Sequence, residues 1–415
     1  MVASVTSRSR YVRLALVTVA AVVALAVTAC INSHAVFTLV ADPVLSPATG
    51  SYEPPVQVTI TVATVGASIR YTSDGTTPTA TTGSEYTGAF TVDRTATVSA
   101  IATVAGIDSV VVAADYALPK VYVARNGDGM VSVIAGATGT VLQTLTVGGS
   151  PVGIGANPQT GWLWVANDGG NAVTLVDADT DMTGNVVSPL PGVRQVAVNT
   201  TTNKIYVTTG VTNVYVIDGD TDLASGPIAV GVTPDGIAVN ESTNRIYISD
   251  SSGDFYVMDG TTDTVVVGPV TAGSQPQGVA VMESSNTIYI VDNIDNEVDV
   301  VDGTTDTLTG TVVLSGAGTP WDIAINQTTG FGYVAGGDFG PGTVKVFDTS
   351  TDVEVASIVV GDNPQYVAVD ENLNRVYAAS RDALQVAVID GATNTVVDTW
   401  AIGAGSDPEG VAVIP

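Results

Sequence analysis

From residue 120 onward the hydrophobic positions fall in short runs separated by Gly, Asn, Asp and Thr, and the pattern repeats. An aromatic flanked by β-forming residues marks each copy: Tyr122, Trp164, Tyr206, Tyr247, Tyr289, Tyr333 and Tyr377, at successive gaps of 42, 42, 41, 42, 44 and 44 residues. A fixed period of this size is the mark of stacked repeats, in which each unit covers the apolar surface of the next. One copy runs as Gly278–Val281, a turn through Glu283–Asn286, then Ile288–Val291, Val298–Val301 and Thr311–Leu314. Short β-rich runs between turn residues predict a four-stranded antiparallel meander. Runs such as Val121-Tyr122-Val123 are apolar on both faces, so neighbouring sheets must cover what one sheet leaves exposed.

The ends of the repeat region are complementary. The first copy opens at Val121, in register with a second strand, and lacks an innermost one, whereas Pro408–Ile414 reads as an innermost strand with no sheet of its own. The expected fold is all-β: a seven-bladed β-propeller over residues 119–415, its first blade shared as three strands plus one. The repeat resembles the YVTN family of β-propellers, which includes YncE-like periplasmic proteins, over residues 120–415. The resemblance rests on Val376-Tyr377-Ala378 through Val388-Ile389-Asp390-Gly391-Ala392-Thr393-Asn394-Thr395-Val396-Val397. It rests also on Pro-x-Gly at Pro151, Pro234, Pro276 and Pro408. These motifs specify a fold; propellers host many unrelated activities.

Residues 41–118 differ in composition and predict a small β domain. Gly50-Ser51-Tyr52, Pro55–Ile60, Ile69–Pro78, Tyr86-Thr87 and Thr97–Ala102 resemble the chitobiase C-terminal-like module, an Ig-like β-sandwich carried by secreted bacterial proteins, some of them glycoside hydrolases. The resemblance implies a spacer more often than a sugar binder. Asp74-Gly75 reads as a hairpin turn, with Pro78 blocking continuation of the strand.

At the N-terminus, Arg8, Arg10 and Arg13 precede an apolar run from Leu14 to Val27, the pattern of a secretory signal over residues 1–29. Val27-Thr28-Ala29-Cys30 resembles the lipobox of bacterial lipoproteins, which implies cleavage before Cys30 and its acylation, with residues 30–40 as a tether. Two or more acyl chains suffice for stable anchoring. The expected address is therefore the bacterial cell envelope, outside the cytoplasm. Cys30 is the only cysteine, so no disulfide is available.

Charge narrows the partners. The chain carries a net charge of −28 and three lysines, Lys120, Lys204 and Lys345, which argues against a nucleic-acid ligand because neutralising phosphates takes clustered bases. The single histidine is His34, in the tether, so the repeats hold no imidazole for a general base, a haem or a nitrogen-ligated metal. Asp177-Ala178-Asp179-Thr180-Asp181 and Asp218-Gly219-Asp220-Thr221-Asp222 space carboxylates as a calcium loop would. Asp259, Asp302, Asp348 and Asp390 share the place of Asp177 and Asp218, however, which favours a structural Asx turn before the outermost strand.

Function is sought where the copies disagree. The residue after the pre-strand proline, or after Val193 in the copy that lacks it, is expected at the mouth of a central channel and is Val152, Arg194, Asp235, Gln277, Trp321, Gln365 and Glu409 around the ring. The next residue is Gly except at Gln195, Asp322 and Tyr366. Arg125, Asp250, Asp292 and Arg381 are expected in or near loops on the same rim. Aromatic faces at Trp321 and Tyr366 beside directional polar groups suit a sugar or peptide. The expected function is a monomeric, lipid-anchored envelope binding or scaffold protein that takes a protein, peptide or glycan at the propeller rim, with no cofactor. The alternative is a lactonase-like or sugar-processing enzyme holding Ca²⁺ or Mg²⁺ on Asp235, Asp250, Asp292, Asp322 and Glu409.

Overall fold

A computed structural model describes residues 39–316, 318–337 and 341–415; the predicted signal run, Cys30 and His34 lie outside the described residues. Among the described residues every regular element is a strand. Between residues 44 and 117 lie a three-stranded sheet, ordered Val44–Ser46, Val56–Thr61, Phe90–Val92, and a sheet built on Ala96–Val104, which pairs with Ser68–Thr72 and Val112–Ala117. The alternation of buried and exposed residues along Val56–Thr61 is that of a strand with one face inward, and the whole is sandwich-like. The two-residue hairpin expected at Asp74-Gly75 is not formed. Asp74 Oδ1 accepts the Thr76 amide at 3.1 Å, an Asx turn, and the chain makes a longer loop before Ser84-Glu85 pairs with Tyr71 and Arg70.

Residues 120–414 form seven open four-stranded antiparallel sheets. Sheets two to seven begin at Pro151, Val193, Pro234, Pro276, Pro320 and Pro364, and each is a meander of consecutive strands. Sheet one joins distant parts of the chain: Lys120–Arg125, Met130–Ala135 and Val141–Thr146 are completed by Pro408–Ile414, with Lys120 opposite Ile414 and Val123 opposite Val411. In the copy quoted above, the outermost strand is Thr307–Val313, longer than the Thr311–Leu314 expected. Its residues are exposed except Val312, so no apolar run marks where it starts.

Both-faced apolarity is resolved as the pattern demands. Seven hydrophobic clusters each draw on two successive sheets; one joins sheet seven, through Tyr377, Val388 and Trp400, to Val121, Val123 and Val411 of sheet one. The repeating aromatics are fully buried there, and burial of such side chains contributes about 1.5–3 kcal/mol each. The first strands also pack in cyclic order, that of sheet seven against Pro408–Ile414 and Pro408–Ile414 against that of sheet two.

Polar links between sheets follow the repeat. Asn157 donates to Asn203 of the next sheet at 3.0 Å, Asn199 to Asn244 at 2.9 Å, Asn240 to Asn286 at 2.7 Å and Asn326 to Asn374 at 2.9 Å. The accepting asparagines sit at φ of 48–52°, the left-handed region that Asn tolerates. Where sheet six has Gly330 instead, sheet five carries Met282 in place of the donor. Donor and acceptor disappear together, so no amide is stranded in the core.

Two irregularities recur in every sheet. The first and second strands slip register just after the start of the first strand, and the third and outermost strands slip again near mid-strand, whereas the second and third pair without a break. Such bulges re-aim side chains and increase local twist.

Candidate functional site

The inner bulge builds the site. In sheet four the register skips from Pro234 to Ile237, leaving Asp235 and Gly236 out of the ladder, and the equivalent skips free Arg194 and Gln195, Gln277, Trp321, Gln365 and Glu409. A regular strand would send these side chains alternately into the two inter-sheet cores; the bulge turns them to the common centre. The glycines of Pro-x-Gly have a separate cause. A Cβ at Gly236 would lie 2.1 Å from the Gln277 carbonyl oxygen of the next first strand, so adjacent strands approach too closely for a side chain.

One cavity of about 200 Å³ is lined by Arg194, Gln195, Asp235, Gln277, Trp321, Asp322, Gln365, Tyr366, Arg381 and Glu409, with Gly236 and Gly278. All ten sequence-derived candidates are thus brought together, from six sheets. Val152, at the corresponding position of sheet two, is instead a core residue between sheets two and three. Of the four loop residues, Arg381 alone reaches the cavity, where its Nη1 lies 3.2 Å from Glu409 Oε1. Arg125 pairs with Asp128. Asp250 and Asp292 are fully buried and accept backbone amides of the preceding inter-sheet loop: those of Val232 and Thr233 for Asp250, those of Ser274 and Gln275 for Asp292. They fasten loops, and the cation set loses two of its five oxygen ligands.

The cavity carboxyls are strongly perturbed. Burial pushes Asp322 up to about 7, against hydrogen bonds from the Val367 and Ile323 amides, and nearby Asp235 adds to the rise. Burial likewise pushes Glu409 up to about 7, with Arg381 and Arg194 opposing. Asp235 is raised by burial and eased by Arg194. The Tyr366 phenol is held well above its ordinary value by burial and by Glu409, Asp235 and Asp322. Asp235 and Asp322 both line the cavity and are half-buried, so part of each carboxyl stays open to solvent. Such shifts in a cleft are what binding and catalytic sites display.

The Asp-rich turns behave as turns. Asp177 Oδ1 accepts the Asp179 amide at 2.8 Å, and Asp218, Asp259, Asp302, Asp348 and Asp390 make the same bond. Among the described residues no group of three or more His, Cys, Asp or Glu is placed to hold a metal ion.

Among the perturbed carboxyls that the sequence does not single out are Asp299, Asp370 and Glu297. Asp299 is 1% exposed in the third strand of sheet five, one carboxyl oxygen lacks a partner, and burial, with Glu297, Asp292 and Asp295, raises it to about 7. Its signal was the substitution itself, since the other sheets place Ser132, Thr174, Tyr215, Tyr256, Lys345 and Ala387 there.

Residues 47–113 match the chitobiase/β-hexosaminidase C-terminal domain family. No curated protein matches the sequence. Among solved structures, hydrazine synthase of Kuenenia stuttgartiensis superposes with a TM-score of 0.55 at 20% identity, over 58% of this chain and 76% of that one. A functionally unknown protein from Desulfotomaculum acetoxidans DSM 771 superposes with a TM-score of 0.61 at 14% identity, over 71% of this chain and 98% of that one. At these identities the likeness concerns the all-β fold alone.

Proposed function

We propose that residues 119–415 are a seven-bladed, YVTN-type β-propeller closed through one shared blade, and that the protein is a lipid-anchored envelope binding or scaffold protein whose channel mouth takes a protein, peptide or glycan. Seven sheets, seven inter-sheet cores and the cyclic order of the first strands support the propeller. The anchor rests on the lipobox-like Val27-Thr28-Ala29-Cys30, and residues 41–118 would space the propeller from it.

The observation that carries the binding role is the convergence of ten non-repeating side chains from six sheets on one cavity. Folding alone calls for small or repeated residues at these positions; aromatic, amide and charged groups sunk together suit a ligand. The divalent-cation enzyme keeps Asp235, Asp322 and Glu409, but Asp250 and Asp292 are committed to loops.

The test is a pull-down from detergent-solubilised envelope with the wild-type chain and Trp321→Ala, read by mass spectrometry, beside a glycan array. Partners lost with Trp321→Ala at unchanged stability support the reading. A variant that unfolds early and keeps its partners places the binding face elsewhere.

A further inference from the structure

The cavity sets three carboxyls against two guanidiniums, and the pairing is uneven. Glu409 is engaged by Arg381 at 3.2 Å, and Arg194 attracts both Asp235 and Glu409. Asp322 has neither. Its Oδ2 accepts the Val367 amide at 3.1 Å, it makes no ion pair among the described residues, and the charge that acts on it is another carboxyl, Asp235. A sunken carboxylate without a counter-ion is costly, and a ligand that supplies the missing positive charge recovers that cost.

Two further groups face the same space. Gln277 is 5% exposed and its side-chain amide makes no hydrogen bond among the described residues, although it lines the cavity. Trp321 and Tyr366 also line it, and aromatic faces attract ammonium groups. At about 200 Å³ the space lies below the ~300–1,000 Å³ of drug-sized pockets. It suits one ring or a short chain, or the end group of something larger.

Resting on the binding reading above, we propose that the cavity takes a small ligand bearing a primary ammonium group, the ammonium on Asp322 beside Trp321 and Tyr366, with an adjacent polar group bonded by Gln277. Asp322 thus replaces the glycine of the repeat to provide an acceptor at the channel mouth, at the cost of a half-buried carboxyl that no cation of the chain faces.

The experiment is calorimetric titration at pH 8 of the full mature chain with matched pairs: trans-4-aminocyclohexanol against trans-1,4-cyclohexanediol, and putrescine against 1,4-butanediol. The amines are expected to bind at least about tenfold tighter than the diols, the size of a charge-assisted bond beside an aromatic face. Asp322→Asn, which keeps an acceptor for the Val367 amide, should erase that preference. The ring and chain arms separate a cyclic amine from a linear one. Equal affinity for amine and diol, no binding of either amine at millimolar concentration, or a preference that survives Asp322→Asn overturns the proposal. The wild-type comparison stands even if the variant folds poorly. Envelope partners that depend on Trp321 while no amine binds would sink the ammonium proposal and leave the binding function standing.

Discussion

Removing residues 408–415 tests how sheet one is held together. The deleted strand supplies Val411 and Ala412, both nearly buried, and Val413 and Ile414, partly buried, to two separate clusters. Full burial contributes about 1.5–3 kcal/mol per large aliphatic side chain; counting Val411 in full and Val413 and Ile414 at half gives roughly 3–6 kcal/mol. The ladder to Lys120–Arg125 adds several backbone hydrogen bonds at about 0.5–1.5 kcal/mol each. The loss is on the order of 5–10 kcal/mol, comparable to the whole stability of a typical domain at about 5–15 kcal/mol. The truncated chain should therefore lose its cooperative transition altogether. Urea unfolding followed by tryptophan fluorescence reports on the repeats selectively, because all four tryptophans, Trp162, Trp164, Trp321 and Trp400, lie there. A truncated chain with the same midpoint and slope as the full one would refute the argument, and a synthetic 408–415 peptide should restore the transition in trans.

Other outcomes follow from features already described. Met282→Asn alone should destabilise by about 1–3 kcal/mol by burying an unpaired amide, and adding Gly330→Asn should recover at least about 1 kcal/mol; additive effects in the double-mutant cycle would contradict the inter-sheet link. Asp299, raised to about 7, costs stability progressively as pH climbs from near its unfolded value of about 4 to about 7. Asp299→Asn should therefore gain on wild type across that window in melting temperature and hold a constant lead above it. Asp250 behaves oppositely: burial alone would raise it, but hydrogen bonds from Ser252, Val232 and Thr233 leave it lowered. Its contribution is present above about pH 4 and is lost as pH falls through the lowered value, so the deficit of Asp250→Asn should shrink only in acid; a deficit unchanged between pH 7 and pH 2 argues against the loop-fastening role. Finally, Cys30→Ser should abolish labelling by a palmitate analogue, and unchanged labelling would remove the lipid anchor.

The rim was legible because repetition provides its own control. Trp321, Asp322 and Tyr366 stood out against the small or repeated residues of their sister copies, and one cavity brings them together. Position along the chain gave no view of what the loops need. Asp250 and Asp292 looked like rim carboxylates because the bonds that fasten the preceding loops come from amides some seventeen residues away, which no local pattern encodes. The outermost strands were blurred for a related reason: water contacts most of their residues, so Thr, Gly and Asp serve as well as Val and the strand start leaves no apolar trace. Asp74-Gly75 misled because the Asx bond to Thr76 satisfies the turn locally without committing the next residues to a strand.

Every outermost strand ends its sheet with one side unpaired, and every one of them slips register against its inner neighbour. An unpaired strand edge is a template on which another chain can grow a sheet, and a bulge spoils it by twisting donors and acceptors out of line. Seven such edges on one molecule would otherwise make crowding hazardous. With each one bent, copies can be concentrated side by side without seeding fibrils, and replacing the bulges by regular pairing would turn the same sequence pattern into an aggregation liability.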